Sequence, residues 1–257
     1  MQIVLNDSKS TYVGLSTSIT IDAPISTVGH LLVAVIAHDR ASDPTVSIPD
    51  GWTTLFEEAG GSTYYGDLRF YYKVVTGQEP SSYTWTFTNP PVNDYIRGSV
   101  FSFSGVDTSN PIDVFATANS KGTADTTATF PSVTATTTNG YVIRAVSARS
   151  TSTPSVVFDS PAQVIYADSF KRPIVAVASS TQAAAGATGT LTATVATGSL
   201  YRPVTATVVL RPSIGSTAGG LIKVYNGTVF VAKPVKVWDG TAWIQKPVKR
   251  WNGSAWA

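Results

Sequence analysis

Residues 67–75 read DLRFYYKVV, an alternating stretch in which large apolar side chains recur at every second position from Leu68 to Val74. Successive side chains of a β-strand point to opposite faces of a sheet. One face of this stretch therefore carries Leu68, Phe70, Tyr72 and Val74, and the other begins with Arg69 and continues through Tyr71, Lys73 and Val75. The pattern predicts a strand that contributes side chains to both sides of its sheet.

Neighbouring stretches extend this prediction. Residues 30–39, HLLVAVIAHD, are almost continuously apolar, as expected of a central strand in a β-sandwich. Residues 82–88, SYTWTFT, alternate and place their three aromatic side chains on one face. Large aromatic residues at strand spacing usually form the core. We interpret six of them in this way: Phe70, Tyr72, Trp85, Phe87, Phe101 and Phe103.

Strand-like segments continue to residue 213, separated by turn signals at intervals of about 8 to 15 residues. Helical periodicity is almost absent, and residues 180–189, STQAAAGATG, are short and glycine-containing, so we predict a loop there. The predicted fold class is all-β, an antiparallel jelly-roll-like β-sandwich over residues 1–212. An extended barrel is the alternative.

Composition excludes several classes of function. The net charge is +2 and no basic cluster exceeds two adjacent residues, which argues against a nucleic-acid partner. The chain has no cysteine, so disulfides and thiolate chemistry are excluded. The longest apolar run, at 31–37, is too short to span a membrane, and the first ten residues lack the pattern of a secretion signal. A virion component, made in the host cytoplasm and acting outside the cell, would suit these properties.

A boundary is predicted at residues 211–221, RPSIGSTAGGL, which are small and mostly uncharged. We divide the chain into a sandwich domain at 1–212, a flexible linker at 213–221 and a C-terminal region at 222–257. Four of the six tryptophans lie in the last 20 residues, so the composition changes sharply after the linker.

The C-terminal region repeats a 13-residue unit: KVYNGTVFVAKPV, then KVWDGTAWIQKPV, then KRWNGSAWA. Each unit centres on Asn-Gly or Asp-Gly between β-forming residues, which predicts a β-hairpin with a two-residue turn. The opposite pairs that follow from such a turn are Tyr225–Thr228, Lys223–Phe230, Trp238–Thr241 and Lys236–Trp243.

This register places two aromatic rings diagonally on one face of each hairpin, beside a lysine. A single hairpin is marginally stable in water, so we expect these faces to pack on each other, on the sandwich or on another chain. Stacking on glycan is the alternative. The candidate residues for assembly or glycan binding are Tyr225, Phe230, Trp238, Trp243, Trp251, Trp256, Lys223, Lys236 and Lys249.

No stretch predicts an active site. Asp39, Asp43 and Asp50 could form a calcium-binding cluster, but their spacing is not that of an EF-hand, and we interpret them as turn residues. Glu57 and Glu58 are adjacent in a strand and must point in opposite directions, so they cannot act as a pair on one bond. We find no nucleophile elbow and no phosphate-binding loop. The expectation is a protein without enzymatic activity, cofactor or metal.

Two parts of the chain resemble known families. Residues 29–113 resemble a β-sandwich module of tailed-bacteriophage virion proteins and of some bacterial surface proteins. The markers are the P-x-GW turn at 49–52, YYK at 71–73, YTWTF at 83–87 and FSGVDTSNPID at 103–113. The terminal KPVKVWDGTAW and KPVKRWNGSAW resemble the C-terminal repeats of minor tail proteins from phages of actinobacteria and related hosts.

The resemblance implies a virion structural protein: a minor tail protein, a fibre or a capsid-attached spike. Such proteins are commonly homotrimers, so the implied partners are further copies of this chain, other virion proteins and host-surface glycan. Nucleic-acid binding and membrane insertion are not implied, and no catalytic residues are carried over. The alternative function is a carbohydrate-binding module for cell-wall glycan, and the third is a polysaccharide depolymerase.

Overall fold

The computed structural model describes residues 2–40, 44–59, 65–88, 94–120, 126–150, 155–160, 162–168, 173–195, 198–213, 221–225 and 227–245. Every regular element in these ranges is a β-strand, and all the pairings between them are antiparallel, so the predicted all-β class is confirmed. Gln2–Pro212 form one compact unit, and the strands that start at Leu221 belong to a second.

The described residues of the first half of the larger unit form eight strands. Their bounds are β1 Val4–Ser16, β2 Ser18–Asp22, β3 Leu31–Arg40, β4 Thr45–Ser47, β5 Thr53–Glu58, β6 Tyr65–Val74, β7 Ser82–Thr88 and β8 Asp94–Ser104. One sheet has five strands in the order β1-β8-β3-β6-β5, and the other has the order β2-β7-β4.

In the second half, the part of the chain that the structure describes forms ten strands. Their bounds are β9 Ile112–Asn119, β10 Thr127–Phe130, β11 Thr134–Ala135, β12 Gly140–Arg149, β13 Val156–Phe158, β14 Gln163–Asp168, β15 Ile174–Gln182, β16 Gly186–Ala187, β17 Leu191–Val195 and β18 Tyr201–Leu210. The five-stranded sheet has the order β9-β18-β12-β15-β14, and a smaller sheet has the order β10-β17-β13. Strands β11 and β16 form a separate pair.

The two halves share one topology. When the β11–β16 pair is set aside and strands are numbered within each half, both halves read 1-8-3-6-5 and 2-7-4. This interleaved order, in which the first and last strands lie side by side, is that of a jelly roll. The jelly-roll-like sandwich predicted from the sequence therefore occurs twice, where the sequence pattern had suggested one sandwich over the whole length.

Irregularities in the strands repeat as well. A β-bulge at Asn6 separates two pairings of β1 with β8, and the same bulge occurs at Asp113 between β9 and β18. A second bulge, at Leu55 in β5, recurs at Ile165 in β14. Bulges re-aim a strand and are specific features of a fold. Their recurrence at matching positions makes the two halves a structural duplication.

Matching residues follow from the strand registers. Leu5 and Ile112, Phe70 and Val177, and Phe103 and Leu210 occupy equivalent places, and the members of each pair are 107 residues apart. The identities differ while the apolar character is kept. At these positions the two halves share burial and apolar character without sharing residue identities. The duplication therefore does not appear as a repeat in the amino-acid sequence.

The two five-stranded sheets pack face to face. Their inner faces form the central core, with Val33, Phe101 and Phe103 on one side and Ile143 and Val208 on the other. Each small sheet covers the outer face of its own five-stranded sheet and encloses a further core, around Trp85 in the first half and Phe130 in the second. The unit thus has four layers of sheet. The aromatic residues interpreted as core are buried, except Tyr72, which is partly buried.

The stacking of the sheets relates the halves by an approximate two-fold rotation. Strand β5 lies over β9, where Phe56 stacks on Phe115 with ring centroids 5.7 Å apart. At the opposite side β14 lies over β1, and Tyr166, the equivalent of Phe56, hydrogen-bonds with Ser10. Equivalent strands therefore meet their counterparts reciprocally, as in an isologous dimer interface.

Candidate functional site

The C-terminal unit contains two hairpins within the described residues. Their strands are β19 Leu221–Tyr225, β20 Phe230–Pro234, β21 Lys236–Trp238 and β22 Trp243–Gln245. Each hairpin corresponds to one 13-residue sequence repeat, with β19 pairing β20 and β21 pairing β22. The sequence signal for hairpins was therefore sound for both of these repeats.

The predicted register of these hairpins is wrong. Tyr225 lies opposite Phe230, and Trp238 lies opposite Trp243. Lys236 pairs with Gln245 instead of a tryptophan. Four residues separate the last paired positions of each hairpin, where a two-residue turn was expected. The aromatic residues are direct cross-strand partners, and the diagonal arrangement does not occur.

The Asp239 carboxylate explains the longer loop. Its Oδ1 accepts hydrogen bonds from the backbone N–H groups of Thr241 and Ala242, both at 2.8 Å, and from the Thr241 hydroxyl at 2.9 Å. Gly240 has φ 105° and Asp239 does not adopt a positive φ, as a type I′ turn would require of both. The side chain of Asp239 organises the loop by binding the backbone two and three residues ahead.

The resulting aromatic face is open to solvent. Trp238 and Trp243 are 51% and 64% exposed, their ring centroids are 5.8 Å apart, and the rings are inclined by 56°. Tyr225 in the first hairpin is 57% exposed. Lys236 is two residues from Trp238 in the same strand and so shares its face. Trp238 and Trp243 thus present an exposed aromatic face on the second hairpin.

The other candidates of this region are only partly covered by the structure. Lys223 and Phe230 lie in β19 and β20, and their side chains are not described. Lys249, Trp251 and Trp256 lie outside the described residues. The site consists of the Tyr225, Trp238, Trp243 and Lys236 side chains.

A buried polar group in the first jelly roll was not predicted from the sequence. Asp67 Oδ2 contacts His38 Nδ1 at 3.1 Å and accepts a hydrogen bond from Arg69 Nη1 at 3.0 Å. All three side chains are at most 3% exposed. The His38 ring stacks on Phe87, and the Arg69 guanidinium lies over the same ring. This burial suits a stabilising network and leaves no surface for a substrate. The sequence signal that could have indicated this network is the presence of titratable residues within predicted buried strands, His38 in β3 and Asp67 and Arg69 in β6.

Three of the motifs that carry the resemblance of residues 29–113, the P-x-GW turn, YYK and YTWTF, meet in a structural cluster. Trp52, from the P-x-GW turn, lies edge-on to Tyr83 and Trp85 with centroid distances of 5.1 Å. Glu79 Oε2 accepts a hydrogen bond from Tyr83 at 2.6 Å and lies 2.7 Å from Lys73 Nζ. Burial, with the hydrogen bond to Glu79 and its charge, raises the pKa of Tyr83. These motif residues fix the small sheet and the turn.

The carboxylates considered for metal binding or catalysis do not converge. Asp39 is buried in β3, contrary to its interpretation as a turn residue, Asp50 lies in the P-x-GW turn, and Asp43 is outside the described residues. Glu57 accepts a hydrogen bond from Tyr71, whereas Glu58 accepts one from Thr117 of the other five-stranded sheet, so the two point apart as predicted. The described residues contain no group of three or more His, Cys, Asp or Glu side chains placed to hold a metal ion.

Comparisons with known proteins found no counterpart: no protein family, no curated protein and no solved structure matches the chain. Within the part of the chain that the structure describes, no helix has the length and apolar character needed to cross a membrane.

Proposed function

We propose that this chain is a non-enzymatic structural and adhesion protein of a tailed-phage particle, a minor tail protein, fibre or capsid-attached spike. The observation that carries the proposal is the exposed Trp238–Trp243 pair on a hairpin that is too small to be stable alone. The resemblance of the terminal repeats to those of minor tail proteins supplies the biological setting.

The hairpin unit is the assembly element in this proposal. Tyr225, Trp238 and Trp243 keep more than half of their surface in solvent within one chain. Burying aromatic surface of this kind stabilises association by roughly 25 cal/mol per Å². Copies of the chain can stack their exposed Trp238–Trp243 faces on each other, and the resemblance to tail proteins implies a homotrimer.

Sedimentation velocity of the full chain and of a chain that ends at residue 220 tests the assembly role. We expect the full chain to sediment as an oligomer and the shortened chain as a monomer. Replacing Trp238 and Trp243 together by Ala should weaken the oligomer, whereas Ile25→Ala, at an exposed aliphatic residue of the larger unit, serves as the control. A shortened chain with unchanged mass would refute the role of the hairpins.

The composition of purified phage particles tests whether the chain is a virion component. Mass spectrometry of purified phage particles from a host that carries the gene should detect the chain in stoichiometric amount with the other virion proteins. Its absence from particles that are otherwise complete would overturn the proposal.

Glycan binding by the same hairpins is the second candidate. The indole rings of Trp238 and Trp243 present open faces on which sugar rings can stack. Under this alternative, the double replacement by Ala abolishes binding to host cell walls and leaves the sedimentation coefficient unchanged. Retained binding would exclude the hairpins as the glycan site.

A further inference from the structure

The two jelly rolls differ at one equivalent location. In the first half it is the space between β2 and the β1–β8 pair, and in the second half it is the space between β10 and the β9–β18 pair. In the first half, Gly98 of β8 lets β2 approach closely. An added Cβ at Gly98 would lie 2.8 Å from Ile21 Cδ1 and 3.4 Å from Ile19 Cδ1. Ile19, Ile21 and Ile96 are fully buried there, so the gap is closed by aliphatic packing.

In the second half, Thr205 stands at the position of Gly98. The registers of β8 with β3 and of β18 with β12 place the two residues equivalently. The Thr205 hydroxyl donates to the carbonyl of Thr129 at 2.8 Å, and Thr207 donates to the carbonyl of Pro131 at 2.7 Å. Strand β10 is therefore held by threonine side chains of β18, where its counterpart β2 packs directly onto a glycine.

The aliphatic residues that close the first gap are also missing from the second. Ile19 in β2 corresponds to Ala128 in β10, because the two residues occupy matching positions in the pairings of β2 with β7 and of β10 with β17. Val13 corresponds to Ser120 and Ile96 to Pro203. Smaller or hydroxyl-bearing side chains replace branched ones, so the space that is core in one jelly roll is open in the other.

The open space is a cleft of about 250 Å³. Among the described residues that line it, none is charged, and five of the eight carry a hydroxyl or an amide: Asn119, Ser120, Thr127, Thr129 and Thr205. Asn119 donates its side-chain N–H to the carbonyl of Ala59, while its Oδ1 is buried and lacks a hydrogen-bond partner.

We propose that this cleft binds a single neutral sugar ring, such as the terminal residue of a glycan. A volume of about 250 Å³ is below the roughly 300–1,000 Å³ of pockets for drug-sized ligands, which limits the ligand to about one ring. Hydroxyl, amide and carbonyl groups match the alternating donors and acceptors of a sugar. Among the described lining residues there is no charge that would compensate the desolvation of an ionic ligand, which favours a neutral one. This site lies in the larger unit and does not depend on the hairpins.

Saturation-transfer difference NMR on the full chain tests the proposal with glucose, galactose, mannose and N-acetylglucosamine. Glucuronic acid and inorganic phosphate are the charged comparisons. We expect at least one neutral sugar to give a saturable signal, with the charged compounds at least tenfold weaker. The proposal is overturned if no neutral sugar binds, or if the charged compounds bind equally well.

Variants locate the binding. Asn119→Ala and Ala128→Ile, which supplies the aliphatic side chain of the first jelly roll, should each weaken sugar binding at least tenfold. Thr20→Val, at the position equivalent to Thr129, is the matched control and should change nothing. Trp238→Ala with Trp243→Ala should also leave this binding intact, which separates it from glycan contact by the hairpins. If Ala128→Ile does not fold, Asn119→Ala decides, and undiminished binding in that variant refutes the site.

Discussion

At the scale of single residues, Asp113 shows how a polar side chain fixes two elements at once. Its side chain is fully buried, and its carboxylate accepts from the backbone N–H groups and hydroxyls of Thr136 and Thr137. It also accepts from Arg211 at 2.9 Å. Burial opposes ionisation, but the hydrogen bonds from the threonines outweigh it and hold the pKa of Asp113 below its ordinary value. The equivalent bulge of the first jelly roll carries Asn6, whose amide donates to the carbonyl of Val4 in its own strand and accepts a hydrogen bond from Ser104 in β8.

Asp113→Asn should lower the free energy of unfolding by about 1–3 kcal/mol near neutral pH, because hydrogen bonds to a charged acceptor are lost. The folded-state pKa is depressed, so the stabilisation is fully present above the unfolded-state value of about 3.9. It is lost as the pH falls through the folded-state pKa. Urea denaturation of both proteins at about pH 7 and about pH 3 should show the difference shrinking in acid. Asp22→Asn, on an exposed strand position, is the control. A difference that does not vary with pH would contradict this account.

At the scale of elements, the same backbone conformation precedes the central strand of each jelly roll. Gly29 has φ 89° and lies two residues before Leu31, the first paired residue of β3. Asn139 has φ 60° and lies two residues before Tyr141 at the equivalent point of β12. Glycine adopts this region freely, and asparagine tolerates it better than most residues. The positive φ required at this position is therefore provided by glycine in the first jelly roll and by asparagine in the second.

Gly29→Ala should destabilise the protein by about 1–2 kcal/mol through backbone strain. No atom lies within 4 Å of the position of an added Cβ, so steric overlap contributes nothing. Gly29→Asn, which copies the second jelly roll, should recover part of the loss. Chemical denaturation of both variants measures the difference, and equal destabilisation by Ala and Asn would show that φ is not the cause.

Element by element, the sequence was informative where alternation determines which face a side chain occupies. Leu68 and Phe70 face the central core while Tyr71 faces the outer one, as the DLRFYYKVV pattern predicts. In the second hairpin the register was missed because it depends on the hydrogen bonds of one carboxylate, at Asp239, and Asp-Gly occurs in loops of either length. The cleft beside Thr205 could not be predicted from the sequence. It is recognised only when Thr205 is compared with Gly98, the structurally equivalent residue of the other half.

At the scale of the whole molecule, the larger unit depends on the contact between its two five-stranded sheets. Gly66 in β6 lies against β12 of the other jelly roll, and an added Cβ would be 2.5 Å from Ser147 Oγ and 3.2 Å from the backbone nitrogen of Ala148. This contact joins elements far apart in sequence. The duplication of the jelly roll was not predicted from the sequence, because equivalent residues such as Arg97 and Val204 occupy the same position but differ in chemical type.

Gly66→Ala should lower the free energy of unfolding by about 1–3 kcal/mol, because the sheets must separate locally to admit the methyl group. Both jelly rolls should lose stability together in one cooperative transition, observed by hydrogen exchange for β3 and β8 in the first half and for β12 and β18 in the second. Gly77→Ala, with no atom within 4 Å of the added Cβ, is the matched control. Separate transitions for the two halves would contradict a shared core.

The approximate two-fold relation between the jelly rolls has an evolutionary consequence. In a homodimer one gene encodes both sides of the interface, so every substitution appears twice and must suit both environments. Here each side is encoded separately within one polypeptide. One copy can therefore keep Ile19, Ile96 and Gly98 as packing while the other acquires Ala128, Pro203 and Thr205, which frees half of the scaffold to specialise while its partner preserves the framework.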